Sequence, residues 1–330
     1  MIADREISAD VANPLGLDGV EFIEYATAKP QALGQLLETM GFRPIARHRS
    51  REVLLYRQGE MNIIVNAHID THLSANLSVT YGATYGATSG ATSGATSGAT
   101  NAAGLSAANG ELAHGLHTAE TPTITAICFR VRDARAAYHR ALDRGAWAVP
   151  ARAEVMELNI PSIHGVGASR IYFVDRYQDF SIYDVDFTMI PTVDQQAPAL
   201  AGMHWFGVVQ YIGDGRTGDW TEFYRELFGF EALPDEQRFG ILPKGRVLKS
   251  PCQCFYLQLI APTPELDGDH EEMLQRVAFG TPDVLAAVAQ LRARGVEFVE
   301  SSGVHTEQHG ALTQARLGGV MFELVLHKTS

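Results

Sequence analysis

The stretch GVEFIEYATAKPQALGQLLETMGF, residues 19–42, decides the fold. Residues 19–26 alternate as a half-buried strand does, and Leu33, Leu36, Leu37 and Met40 then recur at helical spacing until Gly41 stops the helix. The same order returns three times. TAICFRV (125–131) leads into DARAAYHRALDRGA (133–146), closing at Gly145; HWFGVVQYI (204–212) leads into GDWTEFYRELFGF (218–230), closing at Gly229; QRVAFGT (275–281) leads into DVLAAVAQLRARGV (283–296), closing at Gly295. Short β-like segments follow each unit: REVLLYRQ (51–58) and MNIIVNA (61–67), SRIYFVD (169–175) and SIYDVDF (181–187), ALTQARL (311–317) and VMFELVLH (320–327). The unit is βαβββ. Four copies predict an α+β fold in which paired modules close about a shared concavity, giving two barrel-like domains.

The 330 residues suit two domains of that kind. From Tyr81 the chain reads YGAT YGAT SGAT SGAT SGAT, then NAAGLSAANG, almost without charge. Such a segment cannot offset its ordering entropy by burial, so residues 70–120 are expected to form a flexible insertion, a passive linker rather than a small solenoid or adhesive surface. TMIPTVDQQAPAL (188–200), polar and twice interrupted by proline, marks a boundary. The expected organisation is a tail (1–14), an N-terminal domain (15–187) carrying the insertion, a linker (188–200) and a site-bearing C-terminal domain (201–330).

Apolar residues make up 46% and charged residues 19%, an ordinary globular composition. Lys and Arg number 26 against 38 Asp and Glu, and the net charge of −12 is spread along the chain, so nucleic acid and anionic membranes are disfavoured partners. Cys128, Cys252 and Cys254 read as reduced thiols. The acidic start MIADREISADVANP lacks signal-peptide features, and no apolar run approaches the ~18 residues a membrane span needs; a cytoplasmic location is expected.

A polar side chain on the inner face of such a barrel is costly unless paired or metal-bound. His204 opens a strand in the third unit, and Glu323 stands between apolar neighbours in the last. Two histidines and a carboxylate on converging strands form the facial triad of non-haem Fe(II) oxygenases, and His204 with Glu323 supply two of the three. The competing reading is a capped surface histidine and a partly exposed edge glutamate.

NPLGLDGVEFIEYA (13–26), LLETMGF (36–42), HRSREVLLYRQGEMNIIVN (48–66), FRVRDARAAYHRAL (129–142), MELNIPSIHGVG (156–167) and SIYDVDF (181–187) together resemble the N-terminal half of 4-hydroxyphenylpyruvate dioxygenases. GDWTEFYRELFGFE (218–231), LQRVAFGTPDV (274–284) and VMFELVLHK (320–328) continue the match in order. The resemblance implies the vicinal-oxygen-chelate (glyoxalase-like) fold and an Fe(II) enzyme of tyrosine catabolism that turns an aromatic 2-oxo acid and O₂ into homogentisate and CO₂. It implies His204 and Glu323 as metal ligands, Gln314 as a residue directed at the substrate, and a tendency to form homo-oligomers.

Where the family reads Gln-His-Val/Ile-Ala, this chain has Arg276. A guanidinium has no lone pair to offer and stays protonated, so Arg276 cannot ligate iron. It either pairs with Glu323 in place of metal or turns outward while His270, His305 or His309 substitutes. The family also continues past this chain's last residues into a helix over the iron pocket, so a more open pocket is expected. Two readings follow: an iron dioxygenase, or an iron-free relative acting as another enzyme on an aromatic acid or as a non-catalytic binding paralogue.

Overall fold

Parallel pairing of a module's first and last strands requires a long crossover, and each helix supplies it. In the computed structural model the described residues are 12–67, 121–150, 158–234, 237, 239–241, 245–262 and 271–328; the 70–120 insertion, His270 and most of the tail lie outside them. The first module is β1 (Leu17–Ala26), α1 (Pro30–Thr39), β2 (Arg43–His48), β3 (Val53–Gln58) and β4 (Met61–Asn66). The second is β5 (Thr123–Val131), α2 (Ala134–Asp143), β6 (Ser162–His164), β7 (Arg170–Val174), α3 (Ile182–Asp186) and β8 (Phe187–Met189). The third is β9 (His204–Tyr211), α4 (Thr217–Phe228), β10 (Glu231–Ala232), β11 (Arg246–Lys249) and β12 (Tyr256–Ile260). The fourth is β13 (Met273–Thr281), α5 (Val284–Ala293), β14 (Gly310–Leu312) and β15 (Phe322–Leu326).

The expected α+β repeat is therefore present, with two departures. SIYDVDF is not a strand: Asp184 Oδ2 accepts from the Ser181 backbone N–H at 2.7 Å and from its hydroxyl at 3.0 Å, a local cap that starts α3 and leaves only Phe187 to enter β8. In the fourth module, one of the three strands after the helix is reduced to a Phe298–Thr313 bridge.

Four parallel pairs repeat the same plan: β1 with β4, β5 with β7, β9 with β12 and β13 with β15. First strands pair antiparallel, β1 with β5 and β9 with β13. One backbone pairing, Leu274 with Ile124, links β13 to β5. Asp133 and Asp283 cap α2 and α5 by accepting from the amides of Ala136 (2.8 Å) and Ala286 (2.9 Å). Gly229 ends α4 at φ +76°, where a Cβ would stand 2.6 Å from the Ala12 carbonyl oxygen.

Side chains alternate between two cores. Ile23, Ile127, Val277, Phe279, Phe322 and Leu324 face the helices in one large cluster that runs through both halves. Phe22, Cys128, Tyr183 and Phe187 face the N-terminal concavity, whereas among the described residues Phe206, Tyr256, Ala278 and Val325 form the smaller buried cluster of the C-terminal one. Across the halves, Arg144 donates to the Glu226 carbonyl at the end of α4, and Arg294 to the Glu38 and Thr39 carbonyls at the end of α1 (2.6 and 2.9 Å). Each guanidinium meets the negative end of a helix dipole.

Replacing Asp133 or Asp283 by Ala is expected to cost about 1 kcal/mol each, and the double variant about 2 kcal/mol because the caps are far apart. Urea unfolding of the three variants measures this.

Candidate functional site

Two β-bulges decide which side chains enter the C-terminal concavity. Ala278 pairs with Gly207 but Phe279 with Trp205, so Phe206 is an extra residue on β9; Leu274 pairs with Gln210 but Arg276 with Val209, so Gln275 is an extra residue on β13. Ala278 in turn pairs with Glu323 on β15, which makes Gly207, Ala278 and Glu323 one row across three strands. The row faces a cleft whose walls include Phe206, Phe239, Tyr256, Gln258 and Val325. Phe206 and Tyr256 stack with centroids 4.6 Å apart, and Phe239 tilts against both at 5.2 and 4.9 Å.

Arg276 shares the concave face with Ala278, because Val277 and Phe279 belong to the helix-side core. Its Nε donates to Glu323 Oε2 at 3.1 Å, with the two side chains 4% and 3% exposed. Nη1 donates to Gln275 Oε1 at 3.0 Å, and Nη2 is buried with no hydrogen-bond partner among the described residues. Burial pushes the Glu323 carboxyl above its ordinary range, and the guanidinium pulls it part of the way back. Gly240 closes on the other oxygen: a Cβ there would be 2.4 Å from Glu323 Oε1.

His204 does not join this group. It pairs with Gly280, two residues beyond the Glu323 row and about 7 Å further along the sheet. Its Nδ1 faces the Gly202 carbonyl at 3.1 Å and so carries the proton, leaving Nε2 to accept from His327 Nδ1 at 2.9 Å. Burial, then His204 and Lys249, hold His327 below the ordinary imidazole range. The sequence placed His204 with Glu323 as the polar residue opening its strand, and the register sets it opposite Gly280 instead of in the Glu323 row.

Gln314 also lies elsewhere. It is exposed, its Nε2 reaches the Phe298 carbonyl at 3.5 Å, and it lines a separate hollow with Gln35 of α1 and Gly295. His305 and His309 are exposed, and His309 lies 3.9 Å from Glu307. Neither lines the Glu323 cavity. Gln258, Tyr256, Phe239 and Gly207 were missed; Tyr256 at the start of β12, two residues before Gln258 on the same face, was the available signal.

The donor set does not fit Fe(II). A facial triad needs two imidazoles beside the carboxylate, whereas the row offers a glycine, an alanine and a carboxylate already bonded to a guanidinium. Among the described residues, no group of three or more His, Cys, Asp or Glu is arranged to hold a metal ion. Gly207 cannot take a ligating side chain cheaply, because a Cβ there would meet the Tyr256 carbonyl oxygen at 2.3 Å.

Four βαβββ modules curled about two concavities are the vicinal-oxygen-chelate architecture. Residues 11–95 and 98–188 match the family profile described as hydroxyphenylpyruvate dioxygenase, N-terminal, and residues 204–324 that of the glyoxalase/bleomycin resistance protein/dioxygenase superfamily. The chain is 30% identical over 302 residues to a 4-hydroxyphenylpyruvate dioxygenase of a Pseudomonas species, covering 87% of this chain and 72% of that one. It is 29% identical over 316 residues to hemolysin VllY of Vibrio vulnificus, covering 91% and 76%. A variant 4-hydroxymandelate synthase from Streptomyces coelicolor shares the fold with a TM-score of 0.63 at 15% identity, covering 95% of this chain and 94% of that one. A fusion of a xylose isomerase-like TIM barrel with 4-hydroxyphenylpyruvate dioxygenase gives 0.62 at 20% identity; 95% of this chain is covered, and it spans about half, 49%, of the fusion. This chain belongs to the hydroxyphenylpyruvate dioxygenase family. Among the described residues, no helix is long and apolar enough to cross a membrane.

Arg276→Met or Glu323→Leu alone strands a buried charge, or a carboxyl whose pKa climbs further, and each is expected to lose about 3–5 kcal/mol; the double variant is expected to stay within about 1 kcal/mol of the parent. In Arg276→Met the native state binds more protons than the unfolded one, so its stability falls as pH rises above the carboxylate range. His327 has the opposite sign. The unfolded chain takes up the proton first, so stability falls as pH drops through the imidazole range, and His327→Gln flattens that slope. Urea midpoints measured from about pH 4 to 8 follow both groups.

Proposed function

We propose that this chain is an iron-independent member of its family that binds an aromatic 2-oxo acid in the C-terminal cleft. The observation that carries this reading is the buried Arg276–Glu323 pair, with Glu323 in a row whose other members are Ala278 and Gly207. The pair makes the cleft floor electrically neutral, so the cleft has no need of a cation to balance Glu323. Its walls offer aromatic faces from Phe206, Tyr256 and Phe239 and the amide of Gln258, groups that hold a ring and a polar substituent. The ligand class follows from relatives named as acting on hydroxyphenylpyruvate.

Family membership favours the second reading, an Fe(II) dioxygenase that releases homogentisate and CO₂. Anaerobic titration with Fe(II), followed by exposure to 4-hydroxyphenylpyruvate and O₂, separates the two. The expected result is substoichiometric iron, no homogentisate, and calorimetric binding of 4-hydroxyphenylpyruvate without metal. Stoichiometric iron with homogentisate formation would establish the dioxygenase instead. Arg276→His is expected not to restore iron binding, because the Glu323 row still lacks a second imidazole. Adding Gly207→His is expected to destabilise the protein by about 1–3 kcal/mol through overlap with β12.

A further inference from the structure

The β11–β12 hairpin carries two of the three cysteines, Cys252 and Cys254, in the loop Ser250-Pro251-Cys252-Gln253-Cys254-Phe255. Two backbone bonds close that loop: the Ser250 amide donates to the Phe255 carbonyl at 2.9 Å, and the Gln253 amide to the Ser250 carbonyl at 2.9 Å. Pro251 takes the second position of the inner turn, where its fixed φ suits the bend. Gln253 then adopts φ +63°, a left-handed conformation rare outside glycine, and Lys249 Nζ donates to its Oε1 at 3.0 Å. An extended tripeptide holds its end α-carbons about 6.6–6.8 Å apart, the outer limit of what a disulfide spans, and a left-handed middle residue shortens that reach.

The two thiols differ in their surroundings. Ser250 Oγ accepts from the Phe255 amide at 3.1 Å, which leaves its hydrogen for Cys252 Sγ at 3.2 Å; a hydroxyl donor favours the thiolate there. The Cys254 thiol donates instead to the Cys252 carbonyl at 3.1 Å. Partial burial, then the adjacent Cys252, push the Cys254 thiol up, so it keeps its proton to higher pH. Cys252 is half-buried and Cys254 exposed, both open to a small reagent, whereas Cys128 is buried in the N-terminal half and its thiol is pushed far up by that burial.

We propose that Cys252 and Cys254 are a redox pair that closes to an intrachain disulfide by exchange with a small disulfide of the glutathione class. The Cys252 thiolate attacks one sulfur of the reagent, breaking its S–S bond, and the departing thiolate takes up a proton. Cys254 then gives up its proton and attacks the Cys252 sulfur of the mixed disulfide, releasing the second reagent thiol. Two protein thiols are oxidised to one disulfide, and one reagent disulfide is reduced to two thiols. An exposed disulfide across so short a loop is of the labile kind that returns to the dithiol in a reducing medium. Phe255 alone separates Cys254 from Tyr256 of the cleft wall, so the pair sits at the root of β12. The assignment is independent of what the cleft binds.

Incubating the full chain with oxidised glutathione, followed by alkylation and peptide mapping by mass spectrometry, tests it. The parent is expected to lose about 2 Da per chain, with Cys252 and Cys254 in one disulfide-linked peptide, Cys128 still free, and the dithiol restored by dithiothreitol. Cys254→Ser is expected to stop at a glutathione adduct on Cys252, because the resolving thiol is gone. Cys252→Ser is expected to form its adduct at Cys254 several-fold more slowly. Urea midpoints establish that both variants fold; if either does not, the mass and peptide map of the parent carry the test. Retention of both free thiols in the parent overturns the proposal, as do stable glutathione adducts in place of the bond or a disulfide joining two chains. Equal rates of adduct formation in the two folded variants overturn the assignment of Cys252 as the attacking thiol.

Discussion

The antiparallel pairing of β9 with β13, with an extra residue on each strand, governs the C-terminal half. Without the bulge at Phe206, strict alternation would keep His204 and Phe206 on one face and send Gly207 to the other. With it, Phe206 and Gly207 both face the cleft, and the backbone of β12 closes against the bare α-carbon of Gly207. The bulge at Gln275 does the same for its strand, bringing Gln275 within reach of Arg276. Glu323 then finds a guanidinium where an iron site would have an imidazole.

The two concavities use their buried charges differently. In the C-terminal half Arg276 and Glu323 sit beneath a small aromatic cluster and neutralise each other almost out of water. A buried pair of this kind adds little net stability over an apolar substitute, but either member alone would be a serious liability. The N-terminal half encloses a larger apolar cluster, and its Glu24 and Arg170 lie in one row on strands separated by the one that carries Ala126. The same repeat thus places a glutamate and an arginine on adjacent strands in one concavity and on alternate strands in the other.

What joins the halves is mostly helix against helix and sheet, since among the described residues a single strand-to-strand pairing spans them. Phe228 at the end of α4 packs between Phe129 (5.7 Å) and Phe173 (6.1 Å) of the other half. Arg144 and Arg294, equivalent residues one position before the helix-ending glycines, each bind the carbonyl end of a helix in the opposite half. The repeat seen in the sequence is therefore also the source of the interface, because repeating the module repeats its contacts.

The sequence by itself determined the four modules, their helix ends and the α+β class, because each rests on local causes: residue spacing, a capping aspartate, a glycine able to take positive φ. It also determined that Arg276 cannot be a ligand, since that follows from the chemistry of guanidinium alone. SIYDVDF was misread because a hydrogen bond three residues long outweighed its β-like composition. Only the tertiary structure decided that Arg276 meets Glu323, that Gly207 rather than His204 shares the row, and that Gln314 faces another hollow. These depend on strand register across residues far apart in the chain, and a one-residue bulge shifts register without leaving a mark in composition or periodicity.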